Sequence, residues 1–212
     1  VRITAVRQKK GVWYDVFVED EYFVTASYET IFLHKVKPGA EMAAEELAEF
    51  QYQVNYHAVK EKALSLLSFK AYTRRKLCDK LYQSLNKKTD EFEEERYSRE
   101  LIEEVAGKLC ETGLIDDEDY ARRYAKDLRH FKSFGKQRIR LELQKLGIPK
   151  AVIEAALDEL EIDEEAEIRR ILEKKYLPYL DDPKGIQKTI AALHRLGYSA
   201  CQVKAVIAEL GA

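Results

Sequence analysis

The sequence predicts a mainly α-helical fold of three tandem three-helix repeats, forming a curved, elongated rod behind a small β-strand-rich extension. Three observations carry this expectation. Apolar residues recur at helical spacing from about residue 40 onward. A Leu-Gly pair with matching flanks occurs at 146–147 and again at 196–197. Residues 1–39 differ from the rest: they are rich in Val, Tyr and Phe and alternate apolar with polar positions.

The most regular stretch spans residues 112–160. Asp116 and Asp117 suit the cap of a first helix, with Glu118 and Asp119 in its first turn. Tyr120, Tyr124, Leu128 and Phe131 then recur at helical spacing and are expected to form its buried stripe. A second helix starts near Gly135, turns Ile139, Leu143 and Leu146 inward, and stops at Gly147, a natural left-handed cap. Pro149 suits the first turn of a third helix whose Ile153, Ala156, Leu157 and Leu160 face the core. Shifted by fifty residues, Gly135, Leu143, Leu146, Gly147, Ile153, Leu157 and Leu160 meet Gly185, Leu193, Leu196, Gly197, Val203, Ile207 and Leu210. A looser copy lies upstream, where Leu77 and Leu81 fall on Ile139 and Leu143, and residues 98–116 supply the third helix after an insertion. The expected divisions are 1–39, a linker helix with the first repeat at 40–111, a second repeat at 112–160 and a third at 161–212.

In the extension, Arg2 to Gln8 reads as a strand closed by Lys9-Lys10-Gly11, followed by the hairpin pair VWYDVFVED and EYFVTAS. Three strands are about the minimum for an independent sheet, so this piece is expected to lean on the first helices. It reads either as a structural cap on the repeat array or as a docking surface.

A chain of 212 residues buries a substantial core. No signal peptide or long apolar run is visible, and Cys78, Cys110 and Cys201 are scattered without metal spacing. A soluble protein of the cytoplasm, with reduced thiols and no membrane partner, is expected. Charged residues make up 35% of the chain, above the typical ~25%, which suits extended solvated helix surface.

Charge is segregated along the chain although the formal total is −2. Residues 121–150 hold ten Lys and Arg against Asp127 and Glu142, a local charge of +8. Residues 70–88 carry +6, and residues 90–119 carry −10. With few local acids to pair them, the basic helices point to an anionic partner, through phosphate contacts that bring salt dependence and no base-specific readout. Arg122, Lys126 and Arg129 fall roughly opposite the apolar stripe. Tyr72, Phe131 and Phe134 are candidates for base stacking, although core packing is the expectation for Phe131. The candidate binding residues are Arg74, Arg75, Lys76 and Lys80 in repeat one. In repeat two they are Arg122, Arg123, Lys126, Arg129, Lys132, Lys136, Arg138, Arg140 and Lys145.

Catalysis finds little support. His34, His57, His130 and His194 have no HExxH or metal-ligand neighbourhood, and neither GxxxxGK[ST] nor GxGxxG occurs. No enzyme activity and no cofactor are expected.

The segments ALSLLSFKAYTRRKLCDKLY, KLCETGLIDDEDYARRYAKDLR and GKQRIRLELQKLGIPKAVIEAAL resemble the RecX proteins of bacteria over about residues 58–210. The resemblance implies three tandem three-helix repeats and binding to the RecA recombinase filament on DNA. It further implies lodging in the filament groove and restraint of RecA ATP hydrolysis, strand exchange and co-protease action. The matched positions are Arg74, Arg75 and Lys76, then Arg122, Arg123, Lys136, Arg138 and Arg140. This chain departs from the family pattern in an acidic insertion around Asp90–Glu95 and in its near-neutral total charge. The expected partners are therefore the RecA filament and single- and double-stranded DNA, the latter bound weakly by a monomer acting alone. Two other readings stay open, a direct DNA-binding helical regulator and a helical scaffold for protein partners only.

Overall fold

The computed structural model of the chain describes residues 1–87, 96–161 and 163–210. The acidic insertion around 90–95 lies outside these residues. Among them are one three-stranded antiparallel sheet and ten α-helices, a mainly α fold as the sequence predicts. The chain divides into two compact units. One comprises Val1–Lys70 with Leu77–Glu111, the other Ala71–Lys76 with Thr112–Ala212.

The first unit opens with β1 (Ile3–Lys10), β2 (Trp13–Val18) and β3 (Glu21–Ser27), a meander in the order β1-β2-β3. Glu19 and Asp20 both take positive φ, 48° and 68°. This is the two-residue turn whose twist suits a hairpin, between the paired Val18 and Glu21. The short helix α1 (Tyr28–Leu33) is capped by Ser27, whose Oγ accepts the Thr30 N–H at 3.2 Å. The sheet does lean on a helix. Ile3, Val16, Val24, Ala26 and Ile31 share one buried cluster with Phe50 and Val54 of α2 (Ala44–Leu67). Helix α2 also packs along α4 (Arg99–Glu111), and Tyr52 donates its hydroxyl to Glu104 across that pair at 2.6 Å. Helix α3 (Arg74–Leu85) buries Leu77 and Leu81, the residues expected to face inward.

The second unit holds two helix triplets. The first is α5 (Asp117–Lys132), α6 (Lys136–Lys145) and α7 (Lys150–Asp158). Asp116 caps α5 through the Asp119 N–H at 2.8 Å. The core is Ala121, Ala125, Leu128, Ile139, Leu143, Ile153 and Leu157 with their neighbours. The stripe of α5 differs from the expected one. Its centre is Ala121, Ala125 and Leu128, whose small alanines admit the facing α7 closely. Tyr120 and Tyr124 pack at its edge, and Phe131 is 77% exposed. Phe131 sits on the flank of the stripe in the last helical turn. Ser133 then adopts the left-handed cap (φ 51°), and it is Phe134 that packs on the core. Pro149 stands at the N-cap of α7 rather than inside its first turn.

The second triplet is α8 (Glu164–Ile171), α9 (Pro183–Arg195) and α10 (Ala200–Leu210). Between α8 and α9 lie a π-turn at Leu172–Tyr176 and a 3₁₀ turn at Leu177–Tyr179. The fifty-residue correspondence holds in three dimensions. Leu143 and Leu193 are both fully buried, as are Ile153 and Val203, and Gly147 and Gly197 take φ of 77° and 96°. Gly185 departs from it, because α9 begins at Pro183, capped by Asp182, and so encloses the glycine that mirrors the N-cap Gly135 of α6.

Leu143→Ala should lower stability by about 2–5 kcal/mol through the cavity it leaves. Gly197→Ala should destabilise at least as visibly in thermal unfolding, since a methyl group there would overlap the backbone nitrogen of Arg138 and φ is positive.

Candidate nucleic-acid interface

The basic helices are held by two joints of the same design. At the first, the Leu146 carbonyl, left open where α6 ends, accepts the Thr73 hydroxyl at 2.8 Å just ahead of α3. At the second, the Leu196 carbonyl at the end of α9 accepts the Gly135 N–H at 2.8 Å just ahead of α6. The glycine that follows each leucine makes the close approach possible. Gly147 lies against the aliphatic stem of Arg75, and Gly197 against the backbone of Arg138. A carboxylate of the next triplet then caps α3 and α6. Asp117 accepts the Arg74 N–H at 2.8 Å, and Glu164 accepts the Lys136 N–H at 3.1 Å.

The second joint carries an additional polar cluster. The Tyr198 hydroxyl, in a side chain only 1% exposed, donates to the Ser133 carbonyl at 2.8 Å and accepts from Arg129 at 3.1 Å. Arg129 also pairs with Glu167 at 3.2 Å, and Arg170 bonds both Glu167 and the Ser133 hydroxyl. Burial works against ionisation of Glu167, yet the Arg170 hydrogen bond and the Arg129 charge hold its carboxyl below the usual range. The repeat-equivalent residue at the first joint is Ile148. A tyrosine at an otherwise aliphatic core position was the one sequence signal that marked this cluster, and helical periodicity passes over it.

The thirteen basic residues singled out from the sequence separate into two sets. Arg129 belongs to the joint. Arg140 forks onto Glu154, with both bonds at 2.8 Å, and the same bonds raise its own pKa and lower that of Glu154. Arg138 and Lys145 share Glu142, whose carboxyl is held below the usual range first by the Lys145 hydrogen bond. Arg138 also lies over the Phe134 ring at 5.4 Å. Arg123 pairs with Asp119 one turn back. Asp119, Glu154 and Glu167 lie outside the 121–150 window in which local acids were counted, so the helices are better neutralised than their own composition suggests.

The second set is Arg74, Arg75, Lys76 and Lys80 on α3, with Arg122, Lys126, Lys132 and Lys136 around α5 and the start of α6. Among the described residues no carboxylate pairs with these side chains within 4 Å. Lys126 and Lys132 are exposed, as are the four of α3. Lys132 has its ammonium 5.8 Å from the Phe134 ring centre. Arg122 and Lys136 are half-buried, and the six exposed cations can meet a polyanion with little desolvation cost on the protein's side.

Burial pushes the Tyr198 hydroxyl up to about 12, from 10.0, against the opposing pull of Arg129. The unfolded chain therefore releases this proton first. Its contribution to stability is intact below pH ~10 and falls as pH rises toward ~12. Tyr198→Phe should flatten that alkaline loss in urea titrations. At neutral pH it should cost about 0.5–1.5 kcal/mol for the hydrogen bonds removed.

Comparison with known proteins gives one consistent result. Residues 116–157 match the family described as RecX, second three-helix domain. A regulatory protein RecX of Caldanaerobacter subterraneus subsp. tengcongensis is 34% identical over 175 residues, covering 80% of this chain and 81% of that protein. One of Clostridium tetani is 29% identical over 209 residues, covering 96% and 90%. Among solved structures, a regulatory protein RecX aligns over 97% of this chain and 98% of its own with a TM-score of 0.70 at 20% identity, a likeness of fold. RecX from Lactobacillus salivarius aligns over 74% and 97% with a TM-score of 0.59 at 28% identity. No helix of the described residues is long and apolar enough to cross a membrane. Sequence identity across four-fifths of a relative, with the central triplet matched and the whole fold shared, establishes that this chain belongs to the RecX family of regulatory proteins.

Proposed function

We propose that this protein binds the RecA recombinase filament on DNA and restrains its ATPase, strand exchange and co-protease activity. It does so by contact alone, as a monomer in the cytoplasm, without chemistry of its own. The contacts come from the exposed basic side chains of α3 and of the α5–α6 region. The observation that carries this reading is the second set of cations, which no carboxylate of the described residues pairs with, while the first set is neutralised. A filament offers phosphate and acidic protein surface together, so a chain of net charge −2 need not bind bare DNA tightly. Repeats at 40–111, 112–160 and 161–212 are the proposed units of contact.

The experiment is a titration of the single-stranded-DNA-dependent ATPase of RecA with this protein. A fall at concentrations too low to coat bare DNA is expected. Reversal of Arg122 and Lys126 to Glu should abolish that inhibition and leave the thermal transition unchanged. Arg129→Glu should lower stability as well, because it breaks the joint. Normal inhibition by the folded Arg122/Lys126 variant would refute this surface.

A further inference from the structure

Three phenylalanines of the described residues are largely exposed, Phe32, Phe69 and Phe131, and the last two occupy equivalent places in the repeats. Phe69 is 85% exposed and Phe131 is 77% exposed. Phe69 follows α2 and Phe131 lies in the last turn of α5, and each precedes the first residue of the next helix, Arg74 or Lys136, by the same number of positions. The surrounding sequences align as Phe69-Lys70-Ala71-Tyr72-Thr73-Arg74 and Phe131-Lys132-Ser133-Phe134-Gly135-Lys136. Thr73 and Gly135 are the two donors that close the repeat joints, so the alignment is structural as well as textual. A single exposed apolar residue is ordinary on a protein surface. The same exposed ring at the same corner of two repeats is a pattern, and each ring costs solvation free energy that core packing does not recover.

We infer that Phe69 and Phe131 are stacking platforms for the bases of single-stranded DNA. This deepens the function proposed above and rests on its DNA component. The chemistry around the rings favours nucleic acid over an apolar protein pocket. Residues 69–76 hold Arg74, Arg75 and Lys76, and residues 131–138 hold Lys132 and Lys136, all of them in the set that no carboxylate of the described residues pairs with. Protein–protein interface cores are enriched in aromatics but depleted of lysine. Single-strand sites combine the two, with cations tracking phosphates and rings meeting bases in any sequence. At Phe131 the His130 ring stands at a centroid distance of 4.8 Å and an angle of 84°. The third triplet lacks the ring: its corresponding segment, 181–188, contains no aromatic residue, and its Lys184 and Lys188 are offset by Asp181 and Asp182.

The test is fluorescence anisotropy of the full chain at low salt, with labelled oligothymidylate and with an abasic oligonucleotide of equal length. Phe131→Ala should weaken the oligothymidylate complex about tenfold. It should leave the abasic complex unchanged, and it should keep the wild-type salt slope because no phosphate contact is lost. Phe69→Ala should behave alike, the double substitution should lose more than either, and Phe131→Trp should bind at least as well as wild type. Thermal unfolding of these exposed-site variants should match wild type. Three results would each overturn the inference: unchanged oligothymidylate affinity in the double variant, an equal loss on abasic DNA, or no wild-type binding to oligothymidylate. Assay of the same variants in the RecA ATPase titration separates the two proposals. A double variant that binds oligothymidylate normally but no longer restrains the ATPase would place the rings in a pocket of the recombinase, sinking base stacking and leaving filament binding intact.

Discussion

Helices α6 and α9 each end in a leucine carbonyl that the chain satisfies from the neighbouring triplet. Thr73 does so with a hydroxyl and Gly135 with a backbone N–H, both at 2.8 Å. Different chemistry at the same place and the same length indicates that the bond is required and the donor is interchangeable. An open carbonyl in a packed joint would cost about 1–3 kcal/mol, and the approach that closes it needs a glycine directly after the leucine. The reciprocal caps, Asp117 on Arg74 and Glu164 on Lys136, close the free N–H groups of the same joints. At these two joints each triplet satisfies backbone groups of its neighbour, which ties the repeats in tandem.

This constraint also sorts the charges. The segments leading into the joints lie where helices begin, so their arginines serve two masters. Arg138 rests its backbone on Gly197 while its guanidinium pairs with Glu142 and covers Phe134. Arg129 is drawn into the Tyr198 and Glu167 cluster. Lys126 and Lys132 take no part in an ion pair among the described residues and are exposed to solvent. Lysine dominates the exposed set around α5 and α6, and arginine the joint, as the planar guanidinium fork suits fixed multi-acceptor geometry and the ammonium suits water.

The amino-terminal sheet obeys a different economy of scale. Three strands bury only one face, and Phe50 and Val54 of the long α2 supply the surface that face needs. The other end of α2 packs along α4, so one helix carries the extension and the first repeat together.

Much of this was legible in the residues alone. Strand alternation, the Leu-Gly punctuation and the Leu143–Leu193 and Ile153–Val203 correspondences are local or periodic signals, and local geometry dictates them. The candidate binding helices were legible too, because a run of lysines and arginines needs no partner to be recognised. Which of those cations remain free was not legible: Glu154 and Glu167 approach from other helices, and composition within a window cannot register a carboxylate that folding brings in. Nor was the setting of Phe131. Its spacing fits the apolar stripe, but the left-handed turn at Ser133 and the alanine-centred packing of α5 put it in water and Phe134 in the core. Periodicity reports which face of a helix a residue occupies. Only the packing of the neighbouring helices decides where along its length that face is covered.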